Sequence, residues 1–585
     1  MAPRTHTVTN QAPPLVGYDL FGTDRALTEA VERHLPPEVY EEARAELSEL
    51  GRSAGSAQVL EWGALANEFP PRLVTHDRFG NRIDEVEFHP AWHRLLGHSV
   101  GAGLAGGAWD RPGGHVRRAA GFLLVSQTES GHCCPLSMTH AAVPALRAEP
   151  ALAAAWEPLL ASRVYERELR PPLEKAGVLL GMAMTEKQGG SDVRANTTRA
   201  EPLAEAGTYT LTGHKWFCSA PMSDGFLVLA QAPEGLSCFL VPRVLPDGAH
   251  NAFALQRLKD KLGNRSNASA EVEFDGTTWA RRIGAEGEGL HAIMGMVAAT
   301  RLDCVLGSAA QMRQAVARAV HHTSYRSAFG RPLVDQPLMR NVLADLALES
   351  EAATVLGLRL AAAYDMAEGA AAGATTGLAV GSAAEAGAVR RENGGARDQE
   401  RDREREHERQ LLRIAVPVAK YWVTKRCTPV VAEALECLGG NGYVEESGLP
   451  RLLRESPLNS IWEGAGNIQA LDVLRVLRRE PAALNAFLTE VGRARGADHR
   501  LDRAIRDMLA ELADLEGIEA RARRLVERMA RVLQGALLVR WAPAEVADAF
   551  CASRLGGDWG ASFGTLPHTV ALGAVVERAR PVGVG

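Results

Sequence analysis

The feature that most constrains the fold is a change of period. Before about residue 180 and after about residue 290, apolar residues recur at helical spacing. Between Gly181 and Gly289 they fall instead into short strand-like runs, at 208–211, 226–231, 236–241 and 270–274, separated by Gly, Pro and Asp. A compact β-barrel or sandwich between two helical regions is expected, an α+β chain. The 585 residues, 46% of them hydrophobic, supply several cores rather than one, and length alone suggests about three or four domains.

The helical regions divide further. A periodic run over 24–50 is broken by Pro36-Pro37, and 87–93 reads as an extended or turn segment entering another helix. Helical runs at 119–131 and 139–155 flank a turn over 129–135, in which His132 reads as an ordinary loop residue rather than a catalyst. Later runs at 293–325, 333–364, 410–438 and from 467 suggest an antiparallel four-helix bundle. Between the second and third of these, 370–384 is flexible in composition. The Arg, Glu and Asp of 390–409 suit either a solvated helix or disorder. Helices at 482–493, 502–515 and 517–538 form a further unit. The expected domains are 1–180, 181–290, 291–480 with an insertion at 367–409, and 481–585.

Several function classes are set aside. The net charge of −6 gives no global basic field for nucleic acid, so such binding needs a local patch. Arg521, Arg524, Arg528 and Arg531 offer one on a single helix face, readable as a solvated face or as a phosphate-tracking stripe. The cysteines show no CxxC or Cys/His spacing, so no metal site and no disulfide framework is expected, as in a cytoplasmic protein. No basic start precedes an apolar core, and no run approaches the length of a membrane span.

Four short constellations carry chemistry. Met184-Thr185-Glu186-Lys187-Gln188-Gly189-Gly190-Ser191-Asp192 is a turn of bare N–H groups and short hydroxyls that can cradle a polar ring edge or a phosphate. Lys215-Trp216-Phe217-Cys218-Ser219 ends a strand with a flat aromatic, either a cofactor wall or a core tryptophan. Glu436-Cys437-Leu438-Gly439-Gly440-Asn441-Gly442-Tyr443 is a helix end running into a glycine turn. Ser460-Ile461-Trp462-Glu463-Gly464-Ala465-Gly466-Asn467 puts a carboxylate on a small-residue turn before an apolar helix. Asn467 stands where an N-cap falls, and Glu463 reads as favourable helix-dipole chemistry or as something sharper.

Ala183-Met184-Thr185-Glu186-x-x-Gly189-Gly190-Ser191-Asp192 resembles the first signature of the acyl-CoA dehydrogenase superfamily. Glu436-x-x-Gly439-Gly440-x-Gly442-Tyr443-x-x-Glu446-x4-Arg451-x3-Glu455 resembles the second. Thr185 to Val193, Lys259 to Ser269, Asn459 to Gly464 and the opening Thr5-His6-Thr7-Val8-x-Asn10-Gln11 are similar to the AidB-like, alkylation-response branch. The resemblance spans nearly the whole chain. The insertion after the second bundle helix is its main departure, and it is expected to leave the cofactor site alone.

The resemblance implies the acyl-CoA dehydrogenase fold: an N-terminal α-helical domain, a central β-barrel or sandwich, a C-terminal four-helix bundle and an extra C-terminal helical domain. It implies FAD as cofactor. Met182, Met184, Thr185, Gly190 and Ser191 would hold the flavin, Trp216 would pack beside it, and Cys218 or Ser219 would reach its N5 edge. Ile461, Trp462, Gly464 and Asn467 would complete the site. Arg326, Phe329 and Gln336, with Gly439 and Gly440, match positions by which a neighbouring subunit touches FAD, which implies a homo-oligomer, by resemblance a tetramer. Glu463 matches the catalytic base. Two functions follow. One is a DNA-protecting flavoprotein of the alkylation response that binds duplex DNA through the C-terminal unit and retains weak, isovaleryl-type dehydrogenase chemistry. The other is a short- or branched-chain acyl-CoA dehydrogenase proper, passing electrons to an electron-transfer flavoprotein.

Overall fold

A computed structural model describes residues 5–368, 389–514 and 516–581. Helices α1 (Arg25–His34), α2 (Pro37–Ala54), α3 (Ala57–Glu68), α4 (Pro90–Gly101), α5 (Gly114–Thr128), α6 (Cys133–Leu146) and α7 (Pro150–Leu160) come first. The Asp24 carboxylate caps α1 by accepting the Leu27 N–H at 3.1 Å. Pro37 opens α2, where its missing N–H would be unpaired anyway. Two local differences from expectation have simple causes. The single run at 139–155 is two helices, because Pro150 starts a new one at α7. Ahead of α4 lies an antiparallel hairpin, β1 (Arg72–His76) with β2 (Arg82–Glu87). In β2 only Asp84 and Val86 are buried, too few to leave an apolar alternation in the sequence.

Strands β3 (Leu180–Ala183), β4 (Arg199–Pro202), β5 (Thr208–Ser219), β6 (Gly225–Ala232), β7 (Gly235–Pro242), β8 (Ala254–Leu258) and β9 (Ser269–Ile283) make one sheet. Its order is β3-β6-β4-β5-β9-β7, and the further pairing of β6 with β7 closes a ring, so the domain is a barrel without free edges there. Phe226, Val228, Phe239, Val241 and Leu255 fill it. The β5–β9 register slips between Lys215 and Cys218, which puts Trp216 and Phe217 on a bulge.

The long helices α8 (Gly289–Tyr325), α9 (Pro337–Glu368) and α10 (Val389–Glu436) pack on one another, with α11 (Leu449–Glu455) and α12 (Gly466–Arg479) following. A small hairpin, β10 (Ser327–Ala328) and β11 (Arg331–Pro332), joins the first two. Contrary to expectation, α8 contains a stretch long and apolar enough to cross a membrane; 67% of that stretch is buried inside the protein. The charged run at 390–409 belongs to the start of α10, supported by pairs such as Arg405–Asp402 and Arg409–Glu406. The stretch 370–384 lies outside the described residues.

Helices α13 (Pro481–Gly492), α14 (His499–Ala513), α15 (Ile518–Trp541), α16 (Ala544–Phe550) and α17 (Leu572–Ala579) complete the chain. Leu525, Leu533 and Phe550 join the same apolar core as the bundle and the first helices. Buried ion pairs reinforce that junction. Arg554, 1% exposed, sits between Asp345 and Glu349 of α9, and Arg359 of α9 spans Glu408 and Glu490.

Candidate active site

The segment between α11 and α12 turns sharply at Glu463 (φ +58°) and Gly464 (φ +95°). Left-handed backbone at a non-glycine residue persists only where its surroundings hold it. Here they do. Arg301 Nε donates to Glu463 O at 3.2 Å, and Gln469 Nε2 donates to the carbonyls of Glu463 (3.0 Å) and Gly464 (2.8 Å). Lys420, almost fully buried, donates to Gly464 O at 2.8 Å. Arg301 is itself fixed by Asp472 at 2.6 Å.

So held, the Glu463 carboxylate receives the Thr300 hydroxyl of α8 at 2.7 Å. Burial raises its pKa above the usual carboxylate range, and the Thr300 hydrogen bond and the charges of Lys420 and Arg301 oppose that rise only in part. Its side chain caps no helix. The N-cap of α12 is Ala465, and Asn467, expected at the cap, lies inside the first turn with its side chain exposed.

Beside this turn Cys134, Met138 and Ala220 form an apolar patch, with Met182 of β3 and Trp462 packed against it. Asn459 Oδ1 fixes the Trp462 ring by accepting its N–H at 2.9 Å. One edge of the patch is polar. Ser219 Oγ lies 3.0 Å from Ser269 Oγ, which accepts from Lys261 Nζ at 2.9 Å. Cys218 does not share that edge. It is fully buried in the barrel core, so of the two candidates for the flavin's N5 edge only Ser219 is placed to meet a ligand. Alternation of side chains along the strand is the reason.

The glycine turn after β3 is braced from beneath. Glu186, fully buried, pairs with Lys215 at 2.8 Å and accepts Thr197 N–H (2.7 Å) and Thr198 Oγ1 (2.6 Å), which hold its carboxyl well below the usual range. Trp216 N–H reaches back to Thr185 O at 2.8 Å, so the bulge and the turn form one unit. Gly190 closes on Thr185: a Cβ there would stand 2.6 Å from its hydroxyl. The Trp216 ring carries Lys259 Nζ 3.0 Å from its centroid.

Met182, Thr185, Gly190, Trp216, Ser219, Trp462 and Glu463 thus belong to connected parts of one region, with Met184 and Ser191 on the same turn and Ile461 exposed beside Trp462. Arg326, Phe329 and Gln336 do not join them. They belong to the hairpin after α8, where Arg326 bonds Asn10 O, Gln336 bonds Ala328 O, and Phe329 is 98% exposed. At about 1.5 Å per residue, Arg326 lies roughly 39 Å along the helix from Thr300. Gly439 and Gly440 are also exposed. Sequence reasoning missed Thr300, Arg301, Lys420 and Lys261. Lys420 had a signal, a lone cation in the apolar run 414–423.

His132 is no loose loop residue. It is 1% exposed and bonded to Glu129 (2.9 Å) and Ser99 (3.0 Å), and Cys133 and Glu129 push its pKa up against the opposing cost of burial. The arginines of α15 are each faced by a carboxylate: Arg521 by Asp514 (3.1 Å), Arg524 and Arg528 by Glu511 (3.7 and 3.4 Å), Arg531 by Glu527 (3.3 Å). Among the described residues no three His, Cys, Asp or Glu side chains converge as a metal site needs.

Family profiles match the chain in three consecutive pieces. Residues 10–167 match the adaptive response protein AidB N-terminal domain, 181–277 the acyl-CoA dehydrogenase middle domain, and 287–389 with 396–478 its C-terminal domain. The chain is 45% identical, over 94% of both sequences, to an Escherichia coli (strain K12) protein, AidB, which its name assigns to the acyl-CoA dehydrogenases. Caenorhabditis elegans ACDH-11, solved with C11-CoA, superposes with a TM-score of 0.80 at 28% identity, covering 95% of each chain. An acyl-CoA dehydrogenase from Bacillus anthracis, solved with FAD, shares the fold at a TM-score of 0.58 and 18% identity, covering 80% of this chain and 78% of that one.

Proposed function

The chain belongs to the acyl-CoA dehydrogenase family, in its AidB-like branch, and from that premise we propose that it is an FAD-dependent oxidoreductase acting on acyl-CoA thioesters, with Glu463 as base. One observation carries this: a carboxylate of raised pKa, held on a strained turn beside an apolar patch. The donor set suits a flavin. Hydroxyls and an ammonium (Ser219, Ser269, Lys261) meet a heterocycle's polar edge, while Met182, Trp216 and Trp462 offer flat or polarisable walls. Thr185, Gly190 and Ser191 supply the tight turn beside them. The cofactor is FAD, which when bound takes the hydride that leaves the β-carbon of the thioester.

The protein's own part is proton chemistry and enclosure. Removal of a proton α to a thioester needs a base stronger than an ordinary surface carboxylate, and burial makes Glu463 one. Thr300 aims the carboxylate, while Arg301, Gln469 and Lys420 prevent the turn from relaxing. Met138, Cys134 and Trp462 exclude water from one wall. An electron-transfer flavoprotein is the proposed acceptor. Anaerobic titration with a panel of acyl-CoA thioesters tests this: one of them bleaches the flavin band, and Glu463→Gln abolishes the bleaching. A fully loaded wild type that no thioester bleaches overturns it.

Finer readings concern partners. The separation of Arg326 and Phe329 from Glu463 supports a flavin site shared between copies, as in a homotetramer; a monomeric mass in sedimentation overturns that. The match to a domain of an adaptive response protein supports a role in the alkylation response, and duplex DNA as partner and a cytoplasmic location are proposed with it. The α15 arginines lend it little, since carboxylates already face them. Duplex binding that weakens steeply with salt but is unchanged when all four become Ala is the expected mobility-shift result; loss of binding in that variant restores the stripe.

A further inference from the structure

Lys261 is a largely enclosed cation without an ion-pair partner among the described residues. It lies on the segment 259–268 between β8 and β9, where Asn264 meets Glu455 of α11 and Ser266 meets Glu129 after α5. Its ammonium donates to Asn267 O at 2.5 Å and Ser269 Oγ at 2.9 Å, which leaves one of its three N–H groups uncommitted. The two carboxylates whose charge acts on it are bonded elsewhere: Glu455 accepts the Asn264 N–H at 2.9 Å, and Glu129 accepts from His132 at 2.9 Å and Ser266 at 2.7 Å. Enclosure depresses the Lys261 pKa to about 8, and the same charge acts on the thiol of Cys134 in the apolar patch. An enclosed charge without a partner is costly to keep. It is explained if an anion forms beside it.

The hydrogen bonds show where. From Lys261 the chain runs through Ser269 Oγ to Ser219 Oγ, the polar edge beside Met182 and Trp462. We infer that Lys261, acting through Ser269 and Ser219, is the residue that sets the reduction potential of the bound flavin, by stabilising the negative charge that reduction places on it. This rests on the proposal that FAD occupies this site. The balance is simple. The thioester gives its α-proton to Glu463 and a hydride, two electrons and one proton, to the flavin, which leaves one extra negative charge on that side. In a site of low dielectric a nearby ammonium acts on that charge far more strongly than in water.

The experiment compares FAD-loaded full-length wild type with Lys261→Met, Lys261→Arg and Ser269→Ala, each reduced against a reference dye. Lys261→Met is expected to shift the two-electron equilibrium at least tenfold toward oxidised flavin, about 30 mV. Lys261→Arg keeps the charge and stays near wild type, while Ser269→Ala falls between. Sulfite, whose flavin adduct is anionic, binds at least tenfold more weakly to Lys261→Met. A wild-type potential in loaded Lys261→Met overturns the inference, and so does an equal drop in Lys261→Arg. If Lys261→Met does not retain FAD, Ser269→Ala decides: an unmoved potential there overturns it. A wild type that retains no FAD overturns the cofactor proposal beneath it; a loaded wild type with insensitive variants overturns this inference alone.

Discussion

Thr300 and Arg301, neighbours on α8, reach the same glutamate from different sides. The hydroxyl meets the carboxylate and the guanidinium meets the backbone carbonyl. The Thr300 hydrogen bond favours the charged form of Glu463, so it holds down a pKa that burial raises. Thr300→Val removes the donor and nearly preserves volume, and the pKa rises further. The rising limb of the kcat/KM profile for the thioester then moves to higher pH, with the plateau above it lowered less; an unmoved limb excludes Thr300 from tuning the base. The turn that carries Glu463 stood out in the sequence because Trp, Glu, Gly and a following helix are adjacent there, though those residues alone read as helix-dipole chemistry and only the family resemblance proposed a base. Thr300 was not, because it lies 163 residues away and helical periodicity does not say which turn of α8 meets which loop.

At the scale of elements, the alternation of helix and strand marked the barrel, and Pro36-Pro37 marked the break between α1 and α2. The barrel's closure was hidden, because the ring passes through β4, a strand of four residues with little pattern to show, which meets β6 only at Arg199 and Gln231. The segment 259–269 stands out in the sequence as a motif, yet nothing local reveals that Asn264 meets Glu455 of α11 and Ser266 meets Glu129. Glu455 gives that junction a pH dependence. Burial first, then the charge of Glu129, raises its pKa from the ordinary 4.5 to about 7. The folded state therefore holds a proton that the unfolded chain has released, so this contribution to stability is complete below about pH 4.5 and is lost as pH rises to about 7. Glu455→Gln removes the titration. The loss of Tm between pH 5 and pH 8 is expected to be smaller in the variant than in wild type, and an equal loss shows that Glu455 does not titrate there.

For the whole molecule, the C-terminal unit is part of the architecture rather than an attachment to it. Arg554 is buried between Asp345 and Glu349, so Arg554→Met leaves Asp345 in the core without its cation and Glu349 with Arg426 alone. Removing one member of a buried ion pair typically costs about 3–5 kcal/mol. A fall in unfolding free energy of that size is expected, together with loss of the bundle's own cooperativity; a C-terminal unit that melts alone while the bundle stays intact contradicts the shared core. The unit's helices were legible from their period, but their docking was not, because ion pairs such as Arg578 with Glu29 and Glu351 join distant positions. That last pairing has a consequence in time. Glu29 belongs to α1 and Arg578 to α17, 549 residues later, at 2.6 Å. During synthesis α1 waits for α17 before the charge of Glu29 is matched, while Glu351 and Asp345 also stand without their arginines in the growing bundle. The nascent chain thus passes through a long interval with an acidic, half-closed core, in which its topology delays completion and a chaperone has most to hold.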